Sequence, residues 1–158
     1  MSKEIERKYL VVNESWRDAV VRHSRFEQGY LAITSECAVR VRVDGAQATL
    51  NIKSATLDIE RDEYEYPVPL ADAREILASL CGGRTLSKVR YWVEHDGDVW
   101  EVDVFEGDNQ GLVLAELEVE DRDQRFAVPE WAGKEVSGDE RYLNSYLATT
   151  PFKSWPRD

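Results

Sequence analysis

Val39-Arg40-Val41-Arg42-Val43 sets a valine at every odd position and an arginine at every even one. A period of two places alternate side chains on opposite faces of a β-strand, so the valines share one face and both guanidinium groups the other. The run stops at Asp44-Gly45, and alternation resumes in Ala48-Thr49-Leu50-Asn51-Ile52-Lys53, the signature of a β-hairpin. The same period appears in Glu4-Ile5-Glu6-Arg7-Lys8-Tyr9-Leu10 and in Glu63-Tyr64-Glu65-Tyr66-Pro67. It returns in Lys88-Val89-Arg90-Tyr91-Trp92-Val93, in Val99-Trp100-Glu101-Val102-Asp103-Val104 and in Leu114-Ala115-Glu116-Leu117-Glu118-Val119-Glu120. Asp96-Gly97 marks a second hairpin, and Gly107-Asp108-Asn109-Gln110-Gly111 joins the last two strands.

Helical patterns are fewer. Residues 71–81 carry Ala73, Ile76, Leu77 and Leu80 on one face and stop at Gly82-Gly83, as a C-capped helix does. Residues 139–148, with Tyr142, Leu143, Tyr146 and Leu147, fit a second amphipathic helix, and residues 14–22 and 121–126 show fainter helical patterns. No repeat, linker or low-complexity stretch interrupts the chain, so residues 1–158 read as a single domain. Short antiparallel strands with few helices make an α+β fold around a closed or nearly closed sheet.

The polar faces of these strands are ordered by charge. One set collects Lys8, Arg40, Arg42, Lys53, Lys88 and Arg90; the other collects Glu4, Glu6, Glu63, Glu65, Glu101, Asp103, Glu116, Glu118 and Glu120. The opposite faces hold Ile5, Val39, Val41, Leu50, Ile52, Val89, Val102, Val104, Leu117 and Val119. A sheet closed with that apolar face outward, under helices, encloses a charged lumen. Burying so many ions dry costs several kcal/mol each, so the lumen is expected to be wet and to hold a ligand. Converging Lys and Arg suit a polyanion, and guanidinium groups grip phosphate bidentately. Clustered carboxylates are hard oxygen ligands for Mg²⁺ or Mn²⁺. Read alone, each strand is an ordinary solvated face; six or seven with the same inverted polarity point to a metal-bound polyphosphate.

Composition excludes other classes. The chain has 158 residues, 31 acidic and 20 basic, with a net charge of -11. Such an acidic protein is a poor partner for nucleic acid, whose binding depends on phosphate neutralisation by Lys and Arg. Residues 96–121 hold ten Asp or Glu and no Lys or Arg, interleaved with Val, Trp, Phe and Leu, so a cation is expected to offset their repulsion. No apolar run is long enough to cross a bilayer, and the charged N-terminus does not resemble a signal peptide. Cys37 and Cys81 form no paired motif and read as reduced thiols of a cytoplasmic protein. The aromatics Tyr64, Tyr66, Tyr91, Trp92, Trp100 and Phe105 read as core or strand packing. Residues 126–131 and 152–155 read as packing onto the barrel, and His23 and His95 as exposed. No Walker A, Gly-x-Ser-x-Gly, Gly-x-Gly-x-x-Gly or EF-hand pattern occurs.

Glu4-Ile5-Glu6-Arg7-Lys8 resembles the Glu-x-Glu-x-Lys signature that opens CYTH proteins, the triphosphate tunnel metalloenzymes. Gln28-Gly29-Tyr30-Leu31, Arg40-Val41-Arg42, Lys53-Ser54, Glu63-Tyr64-Glu65 and Lys88-Val89-Arg90-Tyr91 follow in that family's order. So do Glu101-Val102-Asp103-Val104-Phe105, Glu116-Leu117-Glu118, Glu135-Val136-Ser137 and Arg141-Tyr142-Leu143-Asn144. The resemblance implies an antiparallel eight-stranded closed β-tunnel with a charged lumen and helices packed outside. It implies that Lys8, Arg40, Arg42, Lys53, Lys88 and Arg90 bind triphosphate and that Glu4, Glu6, Asp103, Glu116 and Glu118 hold Mg²⁺ or Mn²⁺. Glu4, Glu6, Glu116, Glu118 and Lys88 form the implied catalytic set, with Lys88 assisting the leaving group; Glu63, Glu65 and Glu101 are further candidates. The short form resembles the small bacterial inorganic triphosphatases, which implies hydrolysis of tripolyphosphate to pyrophosphate and phosphate. Class IV adenylate cyclase, thiamine triphosphatase and a non-catalytic polyphosphate or nucleotide sensor stand as alternatives. Small relatives often form homodimers, and the sequence leaves the oligomeric state open.

Overall fold

The computed structural model describes residues 3–156. The strands are β1 (Lys3–Val11), β2 (Val20–Ile33), β3 (Cys37–Asp44), β4 (Gln47–Ser54), β5 (Glu60–Pro67), β6 (Thr85–His95), β7 (Asp98–Phe105), β8 (Val113–Glu118) and β9 (Ala132–Glu135). Two helices, α1 (Leu70–Ser79) and α2 (Asn144–Thr149), accompany them. Neighbours run β5-β4-β3-β2-β6-β7-β8-β1-β9. An antiparallel β1–β5 pairing, Lys3 opposite Asp62 and Ile5 opposite Glu60, closes eight strands into a barrel. β9 takes over the same edge of β1 farther along, at Tyr9 and Val11.

Turn chemistry sets the register. The β6–β7 hairpin has a two-residue loop in which Asp96 and Gly97 both have positive φ, 50° and 83°, with His95 opposite Asp98. This is the backbone that Asp-Gly favours and that matches strand twist. Across β3, Arg40 lies opposite Tyr30 and Asn51, and Arg42 opposite Gln28 and Thr49. The period of two then sends both arginines inward and the buried Val41 and Val43 outward.

The apolar core is therefore largely a coat around the barrel, with one cluster filling an end of it. α1 lies over β2, β3 and β4 and buries Ala73, with Cys81 just beyond its end, against Val41, Val43 and Ala48. Gly29 permits this approach: a Cβ there would come within 2.8 Å of the Cys81 sulfur and 3.0 Å of Leu77. A second cluster packs Leu147 and Ala148 of α2 against Tyr30, Leu86, Phe105 and Leu114 at one end of the barrel. The third, around Trp100, Tyr9, Trp16 and Trp131, is covered by the 3₁₀ turn Ser15–Ala19 and by irregular chain around Phe126. Fully burying one such side chain stabilises by about 1.5–3 kcal/mol, so each cluster outweighs the loss of any single polar contact. No helix among the described residues is long and apolar enough to cross a membrane.

Several expectations are corrected. The helix expected over 139–148 is broken into a 3₁₀ turn, Glu140–Tyr142, and α2, with Leu143 extended between them. A continuous helix would spend the Tyr142 carbonyl on the N–H of Tyr146; here that carbonyl accepts from the Lys8 ammonium at 2.9 Å. Residues 14–22 hold the short turn Ser15–Ala19 and then enter β2, the longest strand, because the buried Trp16 anchors the turn and Val20-Val21 favours extended chain. Residues 121–126 form turns with no helix. Of the aromatics expected in core or strand packing, Tyr64 and Tyr66 lie on β5 opposite Ile52 and Leu50 and stay exposed, outside the core. His23 is exposed and stacked on Tyr91, whereas His95 is half-buried.

Candidate active site

The barrel encloses a cavity of about 290 Å³. Strand pleating brings Lys8, Arg40, Arg42, Lys53, Lys88 and Arg90 to its wall, together with Glu4, Glu6, Glu63, Glu65, Glu101, Glu116 and Glu118. Asp103 is fully buried behind that wall and does not line it. Glu120 is exposed past the end of β8 and is also absent from the lining.

The six expected cations fall into two groups. Four have carboxylate partners. Lys53 bridges Glu4 at 3.1 Å and Glu63 at 3.4 Å, and Lys8 lies 3.8 Å from Glu116. Lys88 donates to Asp103 at 2.7 Å, while Arg90 donates to both Asp103 oxygens at 2.8 and 2.9 Å and to Glu101 at 3.0 Å. Asp103 thus spends both oxygens on two cations, and its carboxyl stays below the usual range. Burial opposes its ionisation, but Arg90 and Lys88 overcome that.

Arg40 and Arg42 differ. Among the described residues neither has an ion-pair partner, and the buried Nε of Arg40 has no hydrogen-bond acceptor. Arg42 donates only to the neutral Gln28 amide, at 3.0 Å, with its guanidinium 4.5 Å from the Phe26 ring. Burial and the neighbouring Arg40 and Arg90 charges push Arg42 down to about 9. Lys88, 1% exposed, is pushed down to about 7, chiefly by burial and then by Arg90 and Arg42, against the pull of Asp103. Arg40 and Arg42 therefore place two guanidinium groups on the wall with no carboxylate of the described residues in direct contact.

Carboxylates gather nearby. Oxygens of Glu6, Glu101 and Glu116 lie within 4.8 Å of one another. Burial raises Glu6 well above its ordinary range, and Glu116 and Glu4 add to this. Burial pushes Glu116 the same way, but Lys8, the Glu6 hydrogen bond and Arg90 hold it well below. One proton shared by the pair relieves like-charge repulsion in the protein alone. A hard divalent cation would relieve it more fully, so the donor set fits Mg²⁺ or Mn²⁺. Glu4 is engaged by Lys53, and Glu118 lies at the rim with its carboxyl raised by burial and by Glu4, Glu101 and Glu63. Glu65 accepts from Asn51 at 2.6 Å.

The cavity also uses residues that sequence reasoning gave no role. Arg61 and Asn51 continue the alternation of Glu63-Glu65 and Lys53, so period two was a sufficient signal for both. Tyr30, Ala38, Leu143, Asn144 and Ser145 complete the wall. Leu143 to Ser145 come from the broken helix, which no pattern marks as lumen-facing.

The sequence model of the CYTH domain matches residues 2–149. An inorganic triphosphatase of Acetivibrio thermocellus is 41% identical over 155 residues, covering 98% of this chain and 99% of that one. An inorganic triphosphatase of Nitrosomonas europaea is 37% identical, covering 92% and 96%. A solved crystal structure of an inorganic triphosphatase superposes with a TM-score of 0.70 at 34% identity, covering 94% and 95%. Its closed barrel, its charged lumen and these matches agree, and the chain belongs to the CYTH domain family.

Proposed function

We propose that this protein is a divalent-metal-dependent triphosphatase that cleaves inorganic tripolyphosphate to pyrophosphate and phosphate. The observation that carries the reading is Arg40, a buried cation whose Nε has no acceptor, on the wall of a cavity that also holds the Glu6–Glu101–Glu116 cluster. The two relatives and the solved structure, each an inorganic triphosphatase, support it. So does size, since about 290 Å³ is at the lower end for ligand pockets and suits a compact polyanion.

In this reading Arg40 and Arg42 take the phosphate oxygens bidentately, with Lys8, Lys53, Lys88 and Arg90 around the rest of the chain. Glu6, Glu101 and Glu116, flanked by Glu4 and Glu118, hold Mg²⁺ or Mn²⁺; Asp103 is reassigned from that set to holding Lys88 and Arg90. The bound ion supplies Lewis-acid polarisation of phosphoryl oxygens and lowers the pKa of bound water. Water adds at phosphorus as the bridging P–O bond breaks. Lys88, with its proton loosely held, serves the departing phosphate as acid. The free thiols Cys37 and Cys81 agree with a reducing cytoplasm.

A second reading rests on one feature. Ala38, Arg61, Leu143 and Ser145 are shared with an adjoining groove that contains Ile33, Leu57 and Tyr146. An organic triphosphate such as thiamine triphosphate or ATP would extend its organic part there.

Phosphate release from tripolyphosphate, ATP and thiamine triphosphate, with Mg²⁺, Mn²⁺ or EDTA, tests both readings. Fastest cleavage of tripolyphosphate, lost in EDTA and in Glu116→Gln, is expected. Cyclic AMP and pyrophosphate from ATP would move the protein to the cyclases, and tight binding with no turnover would make it a sensor.

A further inference from the structure

The Lys88 ammonium has three N–H groups, and the protein fixes two of them. One donates to Asp103 at 2.7 Å and one to the side-chain oxygen of Asn144 at 2.8 Å. An ammonium only donates, so the Asn144 atom that faces it is the amide oxygen. That oxygen also accepts from the Gln28 Nε2 at 2.9 Å. Gln28 must then present its own oxygen elsewhere, and it does so to the Arg42 Nε at 3.0 Å. The orientation of each amide follows from the charged group at its end. Gln28 is fully buried, so the link is shielded from water.

We propose that Asn144 is a positioning residue that sets the Lys88 ammonium for the triphosphate, with Gln28 locking Asn144 and tying Lys88 to Arg42. With two N–H groups held, tetrahedral geometry leaves the third a single direction. A lysine free to rotate would lose that directionality, because its charge is compact and its stem flexible. Asn144 reaches Lys88 because the chain is extended at Leu143, just before α2. The same break frees the Tyr142 carbonyl for Lys8, so one short segment orients two lysines of the cavity wall. The inference rests on the triphosphatase reading for what Lys88 does, but the linkage stands on geometry alone.

The test is a double-mutant cycle on tripolyphosphate, with wild type, Asn144→Leu, Lys88→Ala and the pair. Asn144→Leu is expected to lower kcat/KM about ten- to hundredfold, the equivalent of one hydrogen bond to a charged group. In the Lys88→Ala background it should cause no further loss. Asn144→Asp keeps an acceptor for Lys88 and Gln28, so kcat should return close to wild type while the added carboxylate raises KM. Equal losses with and without Lys88 would show that Asn144 only supports the fold. Wild-type kinetics in Asn144→Leu would also overturn the proposal. If Asn144→Leu does not fold, Asn144→Ala enters the same cycle. Calorimetric affinity for tripolyphosphate in EDTA separates the two readings. Should wild type bind without turnover, the triphosphatase reading fails, and positioning is then judged by whether Asn144→Leu weakens binding only when Lys88 is present.

Discussion

Asp103→Asn tests whether this carboxylate holds cations or metal. Asp103 is fully buried and accepts three charge-assisted hydrogen bonds, one from Lys88 and two from Arg90. The substitution keeps the shape, removes the charge and turns an amide N–H₂ toward one of the donors. Breaking a buried pair by neutralising one partner costs about 3–5 kcal/mol, because the remaining cation stays buried. At about 2–4 °C per kcal/mol for a chain this long, the melting temperature should fall by about 6–20 °C. Thermal and urea unfolding in EDTA measure the loss.

Two further readouts separate the roles. Tripolyphosphate should stabilise Asp103→Asn more than wild type, since a polyanion supplies the charge that was removed. Mg²⁺ should stabilise both proteins about equally, because Asp103 is not one of the three carboxylates that gather within 4.8 Å of one another. The pH dependence has a definite sign. The folded protein depresses the Asp103 carboxyl, so its contribution is full above the ordinary aspartate range and is lost as pH falls through the depressed range. The gap between wild type and variant should therefore close in acid. A variant within about 1 kcal/mol of wild type at neutral pH, or one that loses its response to Mg²⁺ alone, would refute the assignment.

Arg40→Met removes a buried cation whose Nε has no acceptor, so the ligand-free protein should gain about 1–3 kcal/mol while tripolyphosphate affinity falls at least about tenfold; a less stable variant with unchanged affinity would contradict this. Glu6 holds a proton more tightly in the folded protein than in the unfolded chain, so stability in EDTA should decline as pH rises above the ordinary glutamate range. Mg²⁺ must displace that proton, so calorimetry near neutral pH in two buffers should show proton release with Mg²⁺, and Glu6→Gln should abolish it; equal release in the variant would place the proton elsewhere.

What the sequence disclosed depended on whether one periodicity sufficed. The Val39–Val43 alternation fixed the inward face of β3, and Asp96-Gly97 fixed a hairpin whose register aligns Arg90 with Asp103. β2 escaped that reading for two reasons. Its inward residues include Phe26, Gln28 and Tyr30, which break the contrast between charged and apolar faces. Irregularities between Val20 and Arg22 and between Tyr30 and Ala32 also shift its phase. Glu101 and Asp103 show the other limit. Both lie on one face of β7 two residues apart, yet Glu101 lies opposite Glu116 and reaches the cavity while Asp103 lies opposite Leu114 and is buried. Only the neighbouring strand distinguishes a cavity carboxylate from a counter-ion. The break at Leu143 is tertiary in the same sense, since the Lys8 ammonium takes a carbonyl that a helix would otherwise use.

The division of the cations explains how one barrel can both fold and bind. A lumen whose every cation was paired would be stable, but an anion would have to displace a carboxylate to enter. A lumen with none paired would suffer the desolvation cost of each ion with nothing to offset it. Here Lys53, Lys88 and Arg90 are held by Glu4, Glu63, Asp103 and Glu101. In the proposed reading Arg40 and Arg42, adjacent on one face of β3, are left to the ligand. The acidic cluster repeats the logic with opposite sign, since Glu6 and Glu116 relieve each other with a proton that a cation can replace. In the proposed reading each half of the site is left with charge to be answered, and a metal-bound polyanion answers both at once. Binding of metal and polyanion should therefore be mutually reinforcing: tripolyphosphate should raise Mg²⁺ affinity, and Arg40→Met should weaken that coupling while leaving Mg²⁺ affinity in the absence of polyanion nearly unchanged.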